Sequence, residues 1–271
     1  MTQVEQEQST QKNAPRGLSK EYKSKRYEPA TINLENKNSS QSLIIEMAGR
    51  NNHILEIGTS TGYITRILKE RGNKVIGVEI DNDAAEIARQ HCEFMIIGDA
   101  DELDLDDYLK TSSIDVVLLG DVLEHLRWPG RILNNIKKYL SANGYLVVSL
   151  PNICHGDVLL NLLNGDFRYT SMGLLDETHI RFFSRKNILS IFEKYGYAIC
   201  DLRLVRIPLG FTELGMDQDK VPPELLKLIQ ALPDSDVYQF VFKAIPSDLP
   251  SEKALPDVDF HKALRNSIED I

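Results

Sequence analysis

The chain has 271 residues, of which 42% are hydrophobic and 26% charged, a balance typical of globular proteins rather than disordered or fibrous ones. Its formal net charge of -9 argues against nucleic acid as a partner, because binding to a phosphate backbone depends on clustered Lys and Arg. No apolar run has the length of a membrane span or of a signal-peptide core. We therefore expect a cytoplasmic protein with no nucleic-acid partner and no membrane span, and a homodimer is compatible with this composition.

The two ends of the chain differ in composition from the middle. Residues 1–38 are rich in Gln, Glu, Lys, Ser and Asn and have no sustained apolar period, so they cannot bury enough surface to fold alone. We predict a flexible N-terminal arm there and a polar C-terminal tail at 246–271. One domain remains between them, at 39–245.

The first part of this domain alternates short apolar strands with amphipathic helices. Helices are predicted at Tyr63–Glu70, from Asp81 to Gln90 and at Pro129–Leu140. This alternation predicts right-handed βαβ crossovers, and therefore an α/β fold with a doubly wound, mostly parallel, Rossmann-like sheet. The strands expected in it are His53–Ile57, Lys74–Ile80, Phe94–Ile97, Ile114–Leu119 and Tyr145–Leu150.

The pattern changes after the fifth strand. Residues 152–184 contain a short helical pattern at Val158–Leu163 and then an irregular, aromatic stretch. We interpret this stretch as an inserted lid over an acceptor pocket. A helix at Asn187–Tyr195 and strands at Tyr197–Ile207 and Val237–Ala244 complete a predicted seven-stranded sheet.

Ligands of such sheets bind beyond the carboxyl ends of the strands. Gly58 and Gly62 frame a strand-to-helix turn at which a backbone can approach a cofactor. Glu56 stands two residues before the first glycine, Glu79 ends the second strand, and Asp99 follows the third. An acid after the second strand can accept both ribose hydroxyls. Acids at three consecutive strand ends therefore indicate a nucleotide-type cofactor.

Four stretches resemble the motifs of class I S-adenosylmethionine-dependent methyltransferases, namely Leu55–Gly62, Val78–Asp81, Ile97–Asp99 and Asp115–His125. The resemblance covers residues 40–245 and implies S-adenosylmethionine as cofactor, with S-adenosylhomocysteine as its product. It also implies that the backbone at Gly58 approaches the methionine part, that Glu79 holds the ribose and that Asp99 meets the adenine amino group. The other cofactor-binding residues we expect are Glu56, Ser60, Gly62, Tyr63, Ile80, Ala100 and Asp121.

One position departs from the family pattern. Ser60 stands where a Gly-x-Gly-x-Gly loop has its middle glycine. We expect this serine either to tighten the loop or to offer its hydroxyl to the donor carboxylate.

Three further stretches narrow the resemblance, namely Asp121–His125, Leu150–His155 and Leu175–Phe183. Together they look like bacterial methyltransferases found among glycan and secondary-metabolite genes, which are related to the ubiquinone-pathway O-methyltransferases. This resemblance implies methylation of an oxygen of a sugar or other small metabolite.

A hydroxyl acceptor requires a base, and histidine suits that task near neutral pH. The candidates are His125, His155 and His179, each of which could instead be hydrogen-bonded to structure. Arg181 could pair with a carboxylate or phosphate of the acceptor, or with a neighbouring acid.

A metal site is the weaker interpretation of the same region. Asp121, Glu124 and His125 offer two oxygens and a nitrogen that could hold a divalent ion. Acids at a helix start more commonly have capping or solvated roles, so we expect no resident metal.

Two rival functions use the same fold. An NAD(P)-dependent oxidoreductase would also have the strand–loop–helix and the acid after strand two, but the chain has no Tyr-x-x-x-Lys pair and its loop lacks the third glycine of that fingerprint. The other rival is a catalytically silent Rossmann-like subunit that acts through a partner.

Overall fold

The computed structural model describes residues 31–215 and 221–247. Within them, seven helices and seven strands form a layered α/β domain. The helices are α1 Ser40–Ala48, α2 Tyr63–Glu70, α3 Asn82–Ala88, α4 Pro129–Ile136, α5 Gly156–Leu163, α6 Arg185–Lys194 and α7 Pro223–Ala231. The strands are β1 His53–Ile57, β2 Lys74–Glu79, β3 Phe94–Ile97, β4 Ile114–Gly120, β5 Leu140–Pro151, β6 Tyr197–Arg206 and β7 Val237–Pro246.

All seven strands belong to one sheet, in the order β3-β2-β1-β4-β5-β7-β6. The pairs among β1 to β5 are parallel, whereas β7 runs antiparallel to both β5 and β6. The seven-stranded α/β prediction is therefore confirmed, and the sheet is mixed because β7 reverses direction.

Helices cover both faces of the sheet because successive strand residues point to opposite sides. On one face Leu55 and Ile57 share a core with apolar residues of α4 and α6. On the other face Ile54 packs with residues of α1 and α2. This two-sided burial explains why the central strands are apolar along most of their length.

The start of β5 differs from the prediction. The predicted helix Pro129–Leu140 ends at Ile136 and continues only as a 3₁₀ turn at Lys137–Tyr139, and β5 begins at Leu140 rather than Tyr145. Its pairing with β4 is irregular between Ile114 and Val116, so the expected Asn143–Gly144 turn is an irregularity within the strand. A Cβ at Gly144 would lie 2.9 Å from the Ile114 carbonyl oxygen, and this close backbone approach requires glycine.

The chain before α1 is attached to the end of β6. Asn38 accepts a hydrogen bond from the Arg206 N–H and donates one to the Arg206 carbonyl, both at 2.7 Å. The rest of the predicted arm, residues 1–30, and the tail from residue 248 lie outside the described residues. Among the residues that are described, no helix combines the length and apolarity needed to cross a membrane.

Residues 152–184 return to the strand ends after α5. Asn152 forms an isolated parallel bridge with Phe183, and the N–H groups of Ile180 and Arg181 both donate to the Glu124 carbonyl. These bonds position the segment next to the residues that follow β4. That it closes over an acceptor remains a prediction.

Candidate active site

The turn between β1 and α2, residues 58–62, is called the donor loop here. Gly58 and Gly62 adopt φ values of 77° and 78°, a region that favours glycine. A Cβ at Gly58 would lie 2.7 Å from Val122 Cγ2, and one at Gly62 would lie 2.9 Å from Ala88 Cα. Both glycines are therefore needed by conformation and by close packing.

Ser60 also adopts a left-handed conformation, with φ of 50°, which costs a non-glycine residue about 1 kcal/mol. Its N–H donates to Glu79 Oε2 at 2.7 Å. This charge-assisted bond offsets the strain and ties the donor loop to the end of β2. The geometry matches the first of the two expectations for Ser60, a tightened loop.

Glu79 organises the start of the next connection as well. Its Oε1 accepts the N–H groups of Ile80 at 2.9 Å and Asp81 at 3.0 Å. Because a carboxylate has about four lone-pair positions, Oε2 retains the capacity to accept a ligand hydroxyl. Beside it, the Ile80 side chain is 63% exposed and offers an apolar surface to a ring.

The residues after β3 play two different roles. Asp99 is half-buried, and its Oδ1 accepts the Asp101 N–H at 2.9 Å. Asp101 is only 6% exposed, and it accepts the N–H groups of Arg127 at 2.8 Å and Trp128 at 3.0 Å. Asp101 opens the acidic stretch 101–108, whose composition predicts carboxylates on a solvated face, and this prediction is wrong for Asp101. Ala100, between them, is partly buried against the core.

Glu56 lies beneath the donor loop and is buried. The hydroxyl of Thr65 on α2 donates to its Oε2 at 2.7 Å. Burial raises the pKa of Glu56 to about 8, and the nearby charge of Glu79 adds to the increase. Glu56 is therefore largely protonated at neutral pH in the absence of a cationic neighbour.

At the carboxyl end of β4, Glu124 is fully buried, and neither of its carboxylate oxygens has a hydrogen-bond partner within the described residues. Burial raises the pKa of Glu124 well above its usual range, and the charges of Asp121 and Asp176 add to this. Buried polar atoms are normally paired, so the unpaired buried carboxyl makes Glu124 a candidate functional residue.

Two imidazoles lie beside Glu124. The His125 and His179 rings meet edge to face, with centres 4.8 Å apart. His125 Nδ1 lies 3.2 Å from the Thr178 carbonyl oxygen, and the Thr178 hydroxyl donates to Asp176. The carbonyl can only accept, which favours the tautomer with the proton on His125 Nδ1 and the lone pair on Nε2. His179 Nδ1 lies 3.4 Å from the Leu174 carbonyl oxygen, which favours the same tautomer. Glu124, His125 and His179 are called the acceptor cluster below.

A family model described as a methyltransferase domain matches residues 33–202, which is more than half of the chain. The chain belongs to this methyltransferase family. A probable S-adenosylmethionine-dependent methyltransferase of Mycobacterium tuberculosis is 26% identical over 200 residues, which are 68% of this chain and 72% of the relative.

Other relatives agree with this assignment. The ubiquinone biosynthesis O-methyltransferase of Glaesserella parasuis is 26% identical over 121 residues, 42% of this chain, and the match spans about half (51%) of that relative's length. Magnesium protoporphyrin IX methyltransferase from Synechocystis, solved with S-adenosylhomocysteine, has a TM-score of 0.54 at 14% identity, with 84% of this chain and 95% of that chain covered. The structural likeness shows the fold, and the name of the Mycobacterium tuberculosis relative states that it depends on S-adenosylmethionine.

The strand ends of the methyltransferase fit that cofactor. In the donor loop, Gly58 and Gly62 leave the backbone uncovered at positions where a Cβ would clash. Glu79 Oε2 can accept a hydroxyl, and Ile80 offers an apolar face. These features suit a polar tail, a ribose and an adenine in that order. The family match also replaces the NAD(P)-dependent oxidoreductase as the interpretation of this loop.

The protonation of Glu56 predicts a pH dependence of stability. Its folded pKa of about 8 exceeds the ordinary value of 4.5, so between these values the folded methyltransferase holds a proton that the unfolded chain has released. This contribution is complete below pH 4.5 and is lost as the pH rises through 8. The free energy of unfolding, measured with urea, should fall less between pH 5 and 8 in Glu56→Gln than in the wild type. The difference should be on the order of 3 kcal/mol. The exposed Glu70→Gln control should show the same pH dependence as the wild type. If Glu56→Gln also showed it, the raised pKa of Glu56 would be contradicted.

The weak metal set expected from the sequence differs from the group in the structure. Ligand atoms of Glu124, His125 and His179 lie within 4.8 Å of one another, close enough to hold a metal ion. Asp121 has φ of 54° and is engaged elsewhere, since its Oδ1 accepts from the Ser149 hydroxyl at 2.7 Å and from the Gln239 amide at 2.8 Å. Burial raises the pKa of Asp121. His179 therefore replaces Asp121 in the candidate metal set.

His155, the third candidate base, is fully buried at the start of α5. Its Nδ1 accepts the Asp157 N–H at 3.1 Å, and its Nε2 donates to the Ile207 carbonyl at 2.8 Å. Both ring nitrogens are thus used in holding α5 against the end of β6. This geometry opposes the expectation of a catalytic role, and the base proposed below does not include His155.

Proposed function

We propose that this methyltransferase transfers a methyl group to a hydroxyl oxygen of a sugar or other small metabolite. The observation that carries the proposal is the acceptor cluster at the end of β4. In the sheet, β4 pairs directly with β1, with Ile57 beside Leu119. The donor loop and the acceptor cluster therefore follow neighbouring strand ends, where donor and acceptor can meet.

The cofactor, when bound, supplies an electrophilic methyl group on a sulfonium. Much of the rate enhancement in such a displacement comes from alignment of the reacting atoms. The remaining requirement is removal of the hydroxyl proton. We assign this role to the Nε2 atom of one imidazole of the His125–His179 pair. As the oxygen–methyl bond forms and the carbon–sulfur bond breaks, the hydroxyl proton moves to this nitrogen. The imidazolium so formed lies beside Glu124, and the oxygens of that buried carboxyl stabilise its charge.

The segment 152–184 is proposed as the cover of the acceptor. Several of its apolar side chains are exposed, and the rings of Phe167 and Tyr169 pack edge to face at 5.5 Å. Exposed apolar surface of this kind commonly marks a ligand or partner site. The exposed set comprises Leu162, Leu163, Phe167, Tyr169, Met172 and Ile180.

The proposal is tested with the donor labelled in its methyl group. Metabolite pools incubated with the protein should yield a labelled product whose methyl group is on oxygen, and calorimetry should show binding of S-adenosylhomocysteine but not of NADH. Labelling on nitrogen would contradict O-methylation. Binding of S-adenosylhomocysteine with no labelled product in any pool would favour the silent interaction subunit.

A further inference from the structure

A groove of about 820 Å³ lies between the start of α4 and one side of α6. Among the described residues that line it there are four cationic side chains and no carboxylate. They belong to Arg127, Arg131, Arg181 and Lys194, and we call this feature the basic groove. Such a concentration of positive charge is notable in a chain with a net charge of -9.

These four charges are not neutralised by neighbouring acids. None of the ion pairs between residues that the structure describes includes any of the four. The Arg181 guanidinium instead donates to the Arg127 carbonyl at 2.6 Å, and Lys194 Nζ lies 5.6 Å from the centre of the Tyr195 ring. Converging cations without acidic partners create a positive potential that attracts an anion.

The basic groove is held in shape from within the protein. The buried carboxylate of Asp101 fixes the backbone N–H groups of Arg127 and Trp128. Next to them, Tyr195 packs directly against Gly130, where a Cβ would lie 2.1 Å from the ring. The arginines therefore project from a fixed backbone, which reduces the entropy lost on binding.

The basic groove also has an aromatic side chain and a connection to the acceptor cluster. Trp128, the one tryptophan of the chain, lines it and is 60% exposed, and an exposed indole can stack on a flat ring. The backbone N–H of Arg181 donates to the Glu124 carbonyl at 2.9 Å. Arg127 follows His125 by two residues in the chain. The basic groove is therefore joined through the backbone at Arg127 and Arg181 to the residues of the acceptor cluster.

We propose that the basic groove binds a phosphate or diphosphate ester carried by the acceptor, with a ring of the acceptor stacked on Trp128. This inference rests on the proposed function, because the reacting hydroxyl of the same molecule would lie at the acceptor cluster. Arginine forks match phosphate oxygens in pairs. The acceptor class is therefore a phosphorylated sugar or a sugar joined to a carrier through a diphosphate.

Fluorescence of the single tryptophan reports directly on the basic groove. The full chain is titrated with inorganic pyrophosphate, with UDP-glucose and with farnesyl diphosphate. We expect a saturable change in Trp128 emission that weakens as salt is added. Tighter binding of UDP-glucose than of pyrophosphate would support a nucleotide carrier, and tighter binding of farnesyl diphosphate a lipid carrier. No saturable change with any of the three would overturn the proposal.

Charge-neutral variants make the test specific. Arg127→Gln/Arg131→Gln should weaken pyrophosphate binding about tenfold or more, and the single Arg131→Gln should weaken it less. The control Arg50→Gln removes an exposed charge just before the amino end of β1, whereas the basic groove begins after the carboxyl end of β4. Equal weakening in this control would overturn the proposal. Calorimetry with S-adenosylhomocysteine on the same samples separates this proposal from the proposed function. If the protein binds S-adenosylhomocysteine but not pyrophosphate, only the proposal that the basic groove binds phosphate is refuted.

Discussion

Glu79→Ala should weaken the binding of S-adenosylhomocysteine by at least about 100-fold. The substitution removes the acceptor of three backbone N–H groups, those of Ser60, Ile80 and Asp81, and each unsatisfied donor costs about 1–3 kcal/mol when it is shielded from water. Without the bond from Ser60, the strained conformation at φ of 50° loses its compensation. The donor loop is then expected to relax away from the position in which its backbone meets the cofactor.

Two comparisons define that result. Glu79→Gln retains one acceptor oxygen and should lose only about tenfold in affinity, because a neutral amide accepts a weaker bond than a carboxylate does. The exposed Glu70→Ala, at the end of α2, should bind as the wild type does. Calorimetry at equal folded fractions, checked by thermal melting, gives the affinities. Wild-type affinity in Glu79→Ala would refute the assignment of Glu79 to the donor site.

His125→Asn and His179→Asn should each lower kcat by about 10²–10⁴-fold, the usual contribution of a positioned base. An asparagine amide can still donate to the backbone carbonyl that Nδ1 contacts, at Thr178 or Leu174, but it cannot accept a proton. Affinity for S-adenosylhomocysteine should stay within about threefold, because the acceptor cluster follows β4 rather than β1. The assay uses the acceptor identified by the labelled-donor screen.

His155→Ala is the matched control for this prediction. It removes a helix cap, worth about 1 kcal/mol, and leaves the buried Ile207 carbonyl without its donor, at about 1–3 kcal/mol. Stability should fall while kcat of the folded fraction is retained. Dialysis against a chelator tests the metal interpretation, because turnover that survives it supports direct proton transfer. Normal kcat in a variant lacking both His125 and His179 would contradict the proposed base.

Much of the fold followed from local patterns. The apolar run His53–Ile57, the turn glycines and the periodicity of Tyr63–Glu70 are properties of contiguous residues, and these bounds match the structure. The donor-side acids could be located for the same reason, since each stands at the end of a strand.

The features that could not be predicted depend on partners distant in the chain. Asp101 looked like one more solvated acid because Arg127 and Trp128, whose N–H groups it holds, are separated from it by β4. His155 was one of three candidate bases, and its structural role could not be seen because its partner Ile207, which follows β6, is distant in the chain. The interaction of His179 with His125 required a long return of the chain that carries no local signal. Long-range pairing of this kind appears only in three dimensions.

The antiparallel strand β7 has a consequence for how the chain reaches this fold. It comes last of the seven strands in sequence, yet it lies between β5 and β6, so β6 has no place in the sheet until β7 has been synthesised. A nascent chain that has emerged only as far as β6 exposes the edge of β5, and unpaired strand edges favour aggregation. Completion of the sheet is therefore a late step of folding, in which the final strand is inserted between two that have already been synthesised.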